Sequence, residues 1–96
     1  MKHMKELELF YLHGCPYCVN ARKAITELLE ETPAFGEVDI RWIEESEEPA
    51  LVTGRDYYYV PSLFFRGKKL YEAKPSHDYG TIKEKLRAAL EYVLQA

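Results

Sequence analysis

Glu6-Leu7-Glu8-Leu9-Phe10-Tyr11-Leu12-His13-Gly14-Cys15-Pro16-Tyr17-Cys18-Val19 is the stretch whose reading decides the fold. Its first seven residues begin in alternation and end as a continuous apolar run, the pattern of a strand whose far end is buried on both faces. His13-Gly14 breaks the strand. Pro16 suits the first turn of a helix, where its missing N–H has no intrahelical partner in any case. From there Cys18, Ala21, Ile25 and Leu28 recur at three- and four-residue spacing, with Ala24 and Leu29 widening the stripe, so a helix is predicted to about Glu31. Thr32-Pro33 and Gly36 end it. A buried strand therefore turns directly into a helix, and the chain's two cysteines stand at that turn.

Working outward, a second strand is predicted over residues 37–43, with Val38, Ile40 and Trp42 on one face. The acidic stretch 44–48 reads as a solvated lead into a short helix over residues 49–52, ended by Gly54. Tyr57-Tyr58-Tyr59-Val60 leads to Pro61, and a third strand is predicted over 62–66. A tight turn at Gly67-Lys68 feeds a fourth strand over 69–73. Pro75 closes it, and Ser76 or Asp78 caps a last helix carrying Ile82, Leu86, Ala89, Leu90, Val93 and Leu94 on one side. The order is β-α-β-α-β-β-α. Strands one to three, joined through helices, are expected to run parallel by right-handed crossovers, and the tight turn makes the last pair antiparallel. The expected result is an α/β domain with a mixed four-stranded sheet and helices on both faces.

With 96 residues and no repeat, low-complexity tract or linker, the chain reads as a single domain over 1–96. Thirteen Lys and Arg against sixteen Asp and Glu leave a net charge of −3, which argues against a nucleic-acid binder. No apolar run reaches a membrane span, and residues 1–6 lack the long apolar stretch and cleavage site of a signal peptide. A cytoplasmic, monomeric protein is expected.

Cys15 and Cys18 enclose so short a loop that a disulfide between them would add little stability, and a cytoplasmic setting disfavours a structural bridge. Reactivity or metal binding must account for them. Cys15 falls at or just before the first helical residue, where free N–H groups and the positive end of the helix dipole favour thiolate over thiol. Cys18 lies one turn further in. Thiolate is the attacking species in disulfide exchange, so Cys15 is the expected nucleophile and Cys18 the resolving thiol. Arg22 and Lys23, nearer the cysteines than Glu27, Glu30 and Glu31, either support that thiolate or form a solvated face with a Lys23–Glu27 pair.

Gly14-Cys15-Pro16-Tyr17-Cys18-Val19, after a buried strand and opening a helix, resembles the dithiol active site of the glutaredoxins within the thioredoxin-like superfamily. The likeness runs from Glu6 to Leu94. Val60-Pro61 before an apolar strand is similar to the superfamily's cis-proline element, and the β-turn-β-helix ending is similar too. The resemblance implies a thioredoxin-like fold with Pro61 cis beside Cys15. It implies that the Val60 main chain pairs with the substrate backbone and that Tyr17 flanks the substrate. Glutathione is the implied reducing co-substrate, with no bound cofactor, and disulfide-containing proteins or glutathione adducts are the implied partners. The glycine pair that glutaredoxins carry after the fourth strand is replaced by Ala73-Lys74; Asp78 would take the part of the family's acid, helped by Ser76.

Other readings stand beside this one. A thioredoxin-like protein reductase, served by its own reductase, would use the same two cysteines. His13, Cys15, Cys18 and, if the fold brings it near, His77 could make a tetrahedral zinc site. An iron–sulfur cluster shared between two chains could use Cys15 and glutathione. The Tyr57–Tyr59 run could recognise a protein partner, although alternate rings packing onto the sheet explain at least one of the three.

Overall fold

The computed structural model describes residues 5–96; the reading of residues 1–4 as no part of a signal peptide, and His3, fall outside the described residues. The elements are β1 (Glu6–Tyr11), α1 (Pro16–Glu31), β2 (Asp39–Glu44), α2 (Pro49–Val52), β3 (Ser62–Phe65), β4 (Lys68–Glu72) and α3 (Tyr79–Gln95). Their order is the expected one. A 3₁₀ turn, Pro33–Glu37, stands between α1 and β2 and takes up Gly36 and Glu37, so β2 begins two residues later than predicted. The β3–β4 hairpin turns at Arg66-Gly67 with φ 53° and 82°, not at Gly67-Lys68. Two consecutive positive φ values give the two-residue loop whose twist matches that of the flanking strands.

The sheet order is β2-β1-β3-β4. β1 and β2 are parallel, from Glu6 opposite Asp39 to Tyr11 opposite Glu44. β3 runs antiparallel to β1, with Leu9 opposite Leu63, and antiparallel to β4. The expected parallel pairing of the third strand is therefore wrong. A parallel crossover needs a connection that travels the length of the sheet. α2 has only four residues, about 6 Å of helix, so the chain re-enters the sheet at the end where β2 left it.

Period-two alternation divides the core. Leu7 and Leu9 of β1, with Leu63 and Phe65 of β3, face α1 (Ala21, Ala24, Ile25, Leu28) and α3 (Ile82, Leu86, Ala89, Leu90, Val93) in one large cluster. Val38, Ile40 and Trp42 join that face, as their spacing predicts. The opposite face is thin: Phe10, Ile43 and Phe64 are covered by Leu51 and Val52 of α2 and by Tyr57 and Val60. Helices do lie on both faces, but the two long ones share one of them. α3 begins at Asp78, whose Oδ1 accepts the Thr81 N–H at 2.8 Å. This is the cap expected of Asp78 rather than Ser76.

Candidate active site

β1 delivers the chain to the end of the sheet, and Gly14, with φ +81° and open space where a side chain would stand, turns it into α1. Cys15 is the N-cap residue, extended at φ −77° and ψ 122°, and Pro16 opens the helix. The Cys15 carbonyl accepts the N–H groups of Cys18 and Val19, each at 3.0 Å, and its own N–H reaches Leu12 O at 3.4 Å. Cys15 is half-buried with its sulfur at the helix start; Cys18, one turn on, is buried at 5% exposure. Both are free thiols.

Burial pushes the Cys18 thiol up to about 12, helped by its hydrogen bond with Cys15 and by the charges of Cys15 and Glu45, and partly offset by a hydrogen bond from the Leu12 backbone.

Forty-five residues on, the segment before β3 comes up against the pair. The Cys15 sulfur lies 3.9 Å from the Val60 carbonyl, and the Val60–Pro61 peptide is cis. Several bonds fix this segment. Pro61 O accepts from Ala73 N at 3.0 Å, and the Ser62 hydroxyl donates to Tyr59 O at 2.6 Å. Glu72 of β4 accepts the N–H groups of Tyr58 and Tyr59 on Oε2 at 2.7 and 2.8 Å, while Lys69 holds Oε1 at 2.8 Å. Burial alone would raise the Glu72 carboxyl, but these donors outweigh it and hold it at about 2. Arg55 forms a two-pronged pair with Glu8, at 2.6 and 3.1 Å, and lies over the rings of Phe10 and Phe64.

Of the residues singled out from the sequence, the structure brings Cys15, Cys18, Val60 and Pro61 together. Tyr17 is half-buried and its hydroxyl donates to Pro75 O at 2.8 Å, tying the start of α1 to the loop before α3. Asp78 is exposed and caps α3. Arg22 stacks on Trp42 at 4.1 Å and on Tyr11 at 5.5 Å, and Glu27 pairs with Lys83 of α3 rather than with Lys23. Tyr57 packs on Phe10 and Phe64, so one of the three rings lies on the sheet as expected; Tyr58 and Tyr59 are both exposed and meet each other edge to face, so the rings do not alternate.

His77 does not complete a zinc site: its Nδ1 lies 2.8 Å from the Tyr71 hydroxyl, and among the described residues no three His, Cys, Asp or Glu side chains are clustered to hold a metal.

Two residues escaped the sequence reading. In sequence Glu72 reads only as part of a strand. Glu44 reads as part of a solvated acidic run, yet it ends β2 and is 4% exposed. Extending the Val38, Ile40, Trp42 alternation by one step lands on Glu44, and that signal was available.

A mixed α/β sheet of this order, with a helix-start cysteine pair against a cis proline, has a thioredoxin-like fold. Thioredoxin 1 from the thermophilic eubacterium Thermosipho africanus TCF52B is structurally similar over 91% of this chain and 96% of that one, with a TM-score of 0.57 at 16% sequence identity. No family model and no curated protein matches the chain. Among the described residues, no helix is long and apolar enough to cross a membrane.

Proposed function

We propose that this protein is a thiol–disulfide oxidoreductase working through a Cys15–Cys18 couple. The observation that carries the reading is the sulfur of the half-buried Cys15, set against the Val60 carbonyl with a buried thiol one helical turn behind it. In the forward step the Cys15 thiolate attacks one sulfur of a substrate disulfide. A Cys15–substrate S–S bond forms, the substrate bond breaks, and the departing thiolate takes a proton. Cys18 then loses its proton and attacks the Cys15 sulfur, expelling the second substrate thiolate. Two electrons and two protons pass to the substrate, and the protein is left with a Cys15–Cys18 disulfide.

What holds the proton on Cys18 suits this order. Burial is the largest influence and persists, but the hydrogen bond and charge contributed by Cys15 both disappear once Cys15 is neutral in the mixed disulfide. Cys18 is thus hardest to ionise before it is needed and easier afterwards.

The finer reading is glutaredoxin-like: glutathione reduces the couple, with Tyr17, Val60, Pro61 and Asp78 bordering the bound tripeptide. The Cys-Pro-Tyr-Cys motif supports it. A protein reductase of thioredoxin type is the second reading, favoured by the engagement of Asp78 as a helix cap and by Ala73-Lys74 where a glycine pair would admit glutathione. The test is a pair of assays: a glutathione mixed disulfide with glutathione and its reductase, and a protein disulfide with thioredoxin reductase. Turnover in the first supports the glutathione reading; turnover only in the second moves the protein to the other. Cys15→Ser is expected to abolish activity in both, and Cys18→Ser to accumulate a mixed disulfide on Cys15. Absence of turnover in both would overturn the proposal.

A further inference from the structure

Glu44 is a carboxylate at 4% exposure, and none of the ion pairs among the described residues includes it. A buried charge without a counter-charge survives only if hydrogen-bond donors replace the lost water. Here they do, and the two oxygens divide the task. Oε1 accepts from the Ser46 N–H at 2.7 Å, the Ser46 hydroxyl at 2.5 Å and the Glu47 N–H at 3.3 Å, which closes the turn after β2. Oε2 accepts the His13 N–H at 2.9 Å, thirty-one residues away in the loop between β1 and α1. Tyr11 stands opposite Glu44 in the parallel ladder, and the Glu45 N–H continues that ladder to Tyr11 O at 3.0 Å. The side chain therefore emerges where β1 ends, beneath the loop that carries Cys15.

An apolar residue here would leave the Ser46 and His13 N–H groups unsatisfied, while the Glu47 N–H would keep its 3.0 Å bond to the backbone carbonyl of residue 44; a neutral amide could accept on one oxygen only. Only a carboxylate accepts in both directions at once. We infer that Glu44 is a positioning residue of the dithiol site: through His13 it fixes the loop from which Cys15 meets Cys18 and Val60. The inference rests on the proposed use of Cys15 and Cys18, but the measurement below needs no catalytic turnover.

The test separates the two oxygens. Glu44→Gln can keep its carbonyl on the Ser46 side, but then turns an NH₂ toward the His13 N–H, donor against donor. Ser46→Ala removes a donor from Oε1 and leaves the His13 contact alone. Reduced wild-type protein and both variants are mixed with oxidised glutathione. Closure of the Cys15–glutathione adduct to the intramolecular disulfide is followed by quenched-flow mass spectrometry, alongside hydrogen exchange at the His13 amide. Glu44→Gln is expected to slow closure by about tenfold or more, since displacing a reacting group by an ångström can cost that and beyond, and to deprotect His13. Ser46→Ala should leave closure within about twofold, an allowance for sites that touch the loop only indirectly.

A folded Glu44→Gln that closes at the wild-type rate, or a Ser46→Ala that slows equally, overturns the inference. If Glu44→Gln does not fold, wild-type exchange decides. A His13 amide as slow as the β1–β2 ladder supports the clasp, and one as fast as an exposed loop refutes it. Failure of both turnover assays above would remove the enzymatic reading while this result still stood.

Discussion

Differential alkylation tests the asymmetry between the two thiols. Burial and its neighbours push Cys18 up to about 12 from an ordinary 9.0. At pH 8 a thiol at 9.0 is ionised in roughly one molecule in ten and one at about 12 in roughly one in ten thousand, so Cys18 should alkylate about a thousandfold more slowly than an ordinary exposed thiol, and more slowly still where the reagent is kept from the sulfur. A short iodoacetamide pulse at pH 8 on the reduced protein, an acid quench and tryptic digestion give one peptide holding both cysteines, because cleavage falls after Lys5 and Arg22. Fragmentation then locates the label. Cys15 is expected to carry nearly all of it, whereas protein unfolded in guanidinium should be labelled at both positions. In Cys15→Ser the hydrogen bond and charge from residue 15 are altered or gone, so Cys18 should label faster than in the wild type and still far more slowly than in the unfolded chain. Comparable labelling of Cys15 and Cys18 in the native protein would refute the reasoning, since it would mean that Cys18 is neither desolvated nor coupled to its neighbour.

Four other outcomes are expected. Burial raises Cys18 and Tyr71 to about 12, and burial with the Glu45 contact raises Tyr57 as well. All three prefer to keep their protons when folded, so their contribution to stability is whole below about pH 9 and is lost as the pH climbs toward 12. Urea midpoints across that range should fall, and less steeply in Cys18→Ala. Glu44, held by the Ser46 hydroxyl and the His13 N–H, and Glu72, held by Lys69 and two N–H groups against its burial, both lie near 2. Their stabilisation is present above the ordinary 4.5 and is lost as the pH falls through that value toward 2, which acid titration by circular dichroism should record. Arg55→Lys keeps the charge but loses the fork on Glu8, at an expected cost of about 1–3 kcal/mol in chemical denaturation. Asp78→Asn retains a good helix cap, so stability should change by no more than a few tenths of a kcal/mol, while KM for a glutathione adduct should rise severalfold; an unchanged KM would confine Asp78 to capping.

What could be read from the sequence was whatever local periodicity and turn chemistry encode. The β1–α1 junction, the two thiols at it, the element order and the Asp78 cap all follow from residues within a few positions of one another. The direction of β3 does not, because alternation places Leu63 and Phe65 on one face whichever way the strand runs. What speaks against the parallel arrangement is the shortness of the helix over residues 49–52, which is itself legible in the sequence. The carboxylates that hold the site were hidden for another reason. Glu72 meets Tyr58 and Tyr59 across thirteen or fourteen residues, and Glu44 meets His13 across thirty-one. In each case a charged residue in an acidic or mixed stretch looks solvated until the partner N–H groups are placed in space. Glu44 alone carried a local warning, in its phase with Val38, Ile40 and Trp42.

The two faces of the sheet explain why carboxylates do this work. α1 and α3 cover one face with a continuous apolar cluster, and that cluster supplies most of the burial. The other face has three buried core side chains under a four-residue helix and the segment that leads to Pro61. So little apolar surface cannot by itself fix a connection of this length, since ordering each residue costs about 1–2 kcal/mol of backbone entropy. The chain instead pins that segment at discrete points: Arg55 on Glu8, Tyr58 and Tyr59 on Glu72, and Ala73 on Pro61. Glu44 pins the loop on the other side of Cys15 in the same manner. Hydrogen bonds to charged acceptors are directional where apolar contact is not. The Cys15 sulfur therefore lies between two loops held by oriented bonds, above a core whose own packing need only keep the sheet and helices in place.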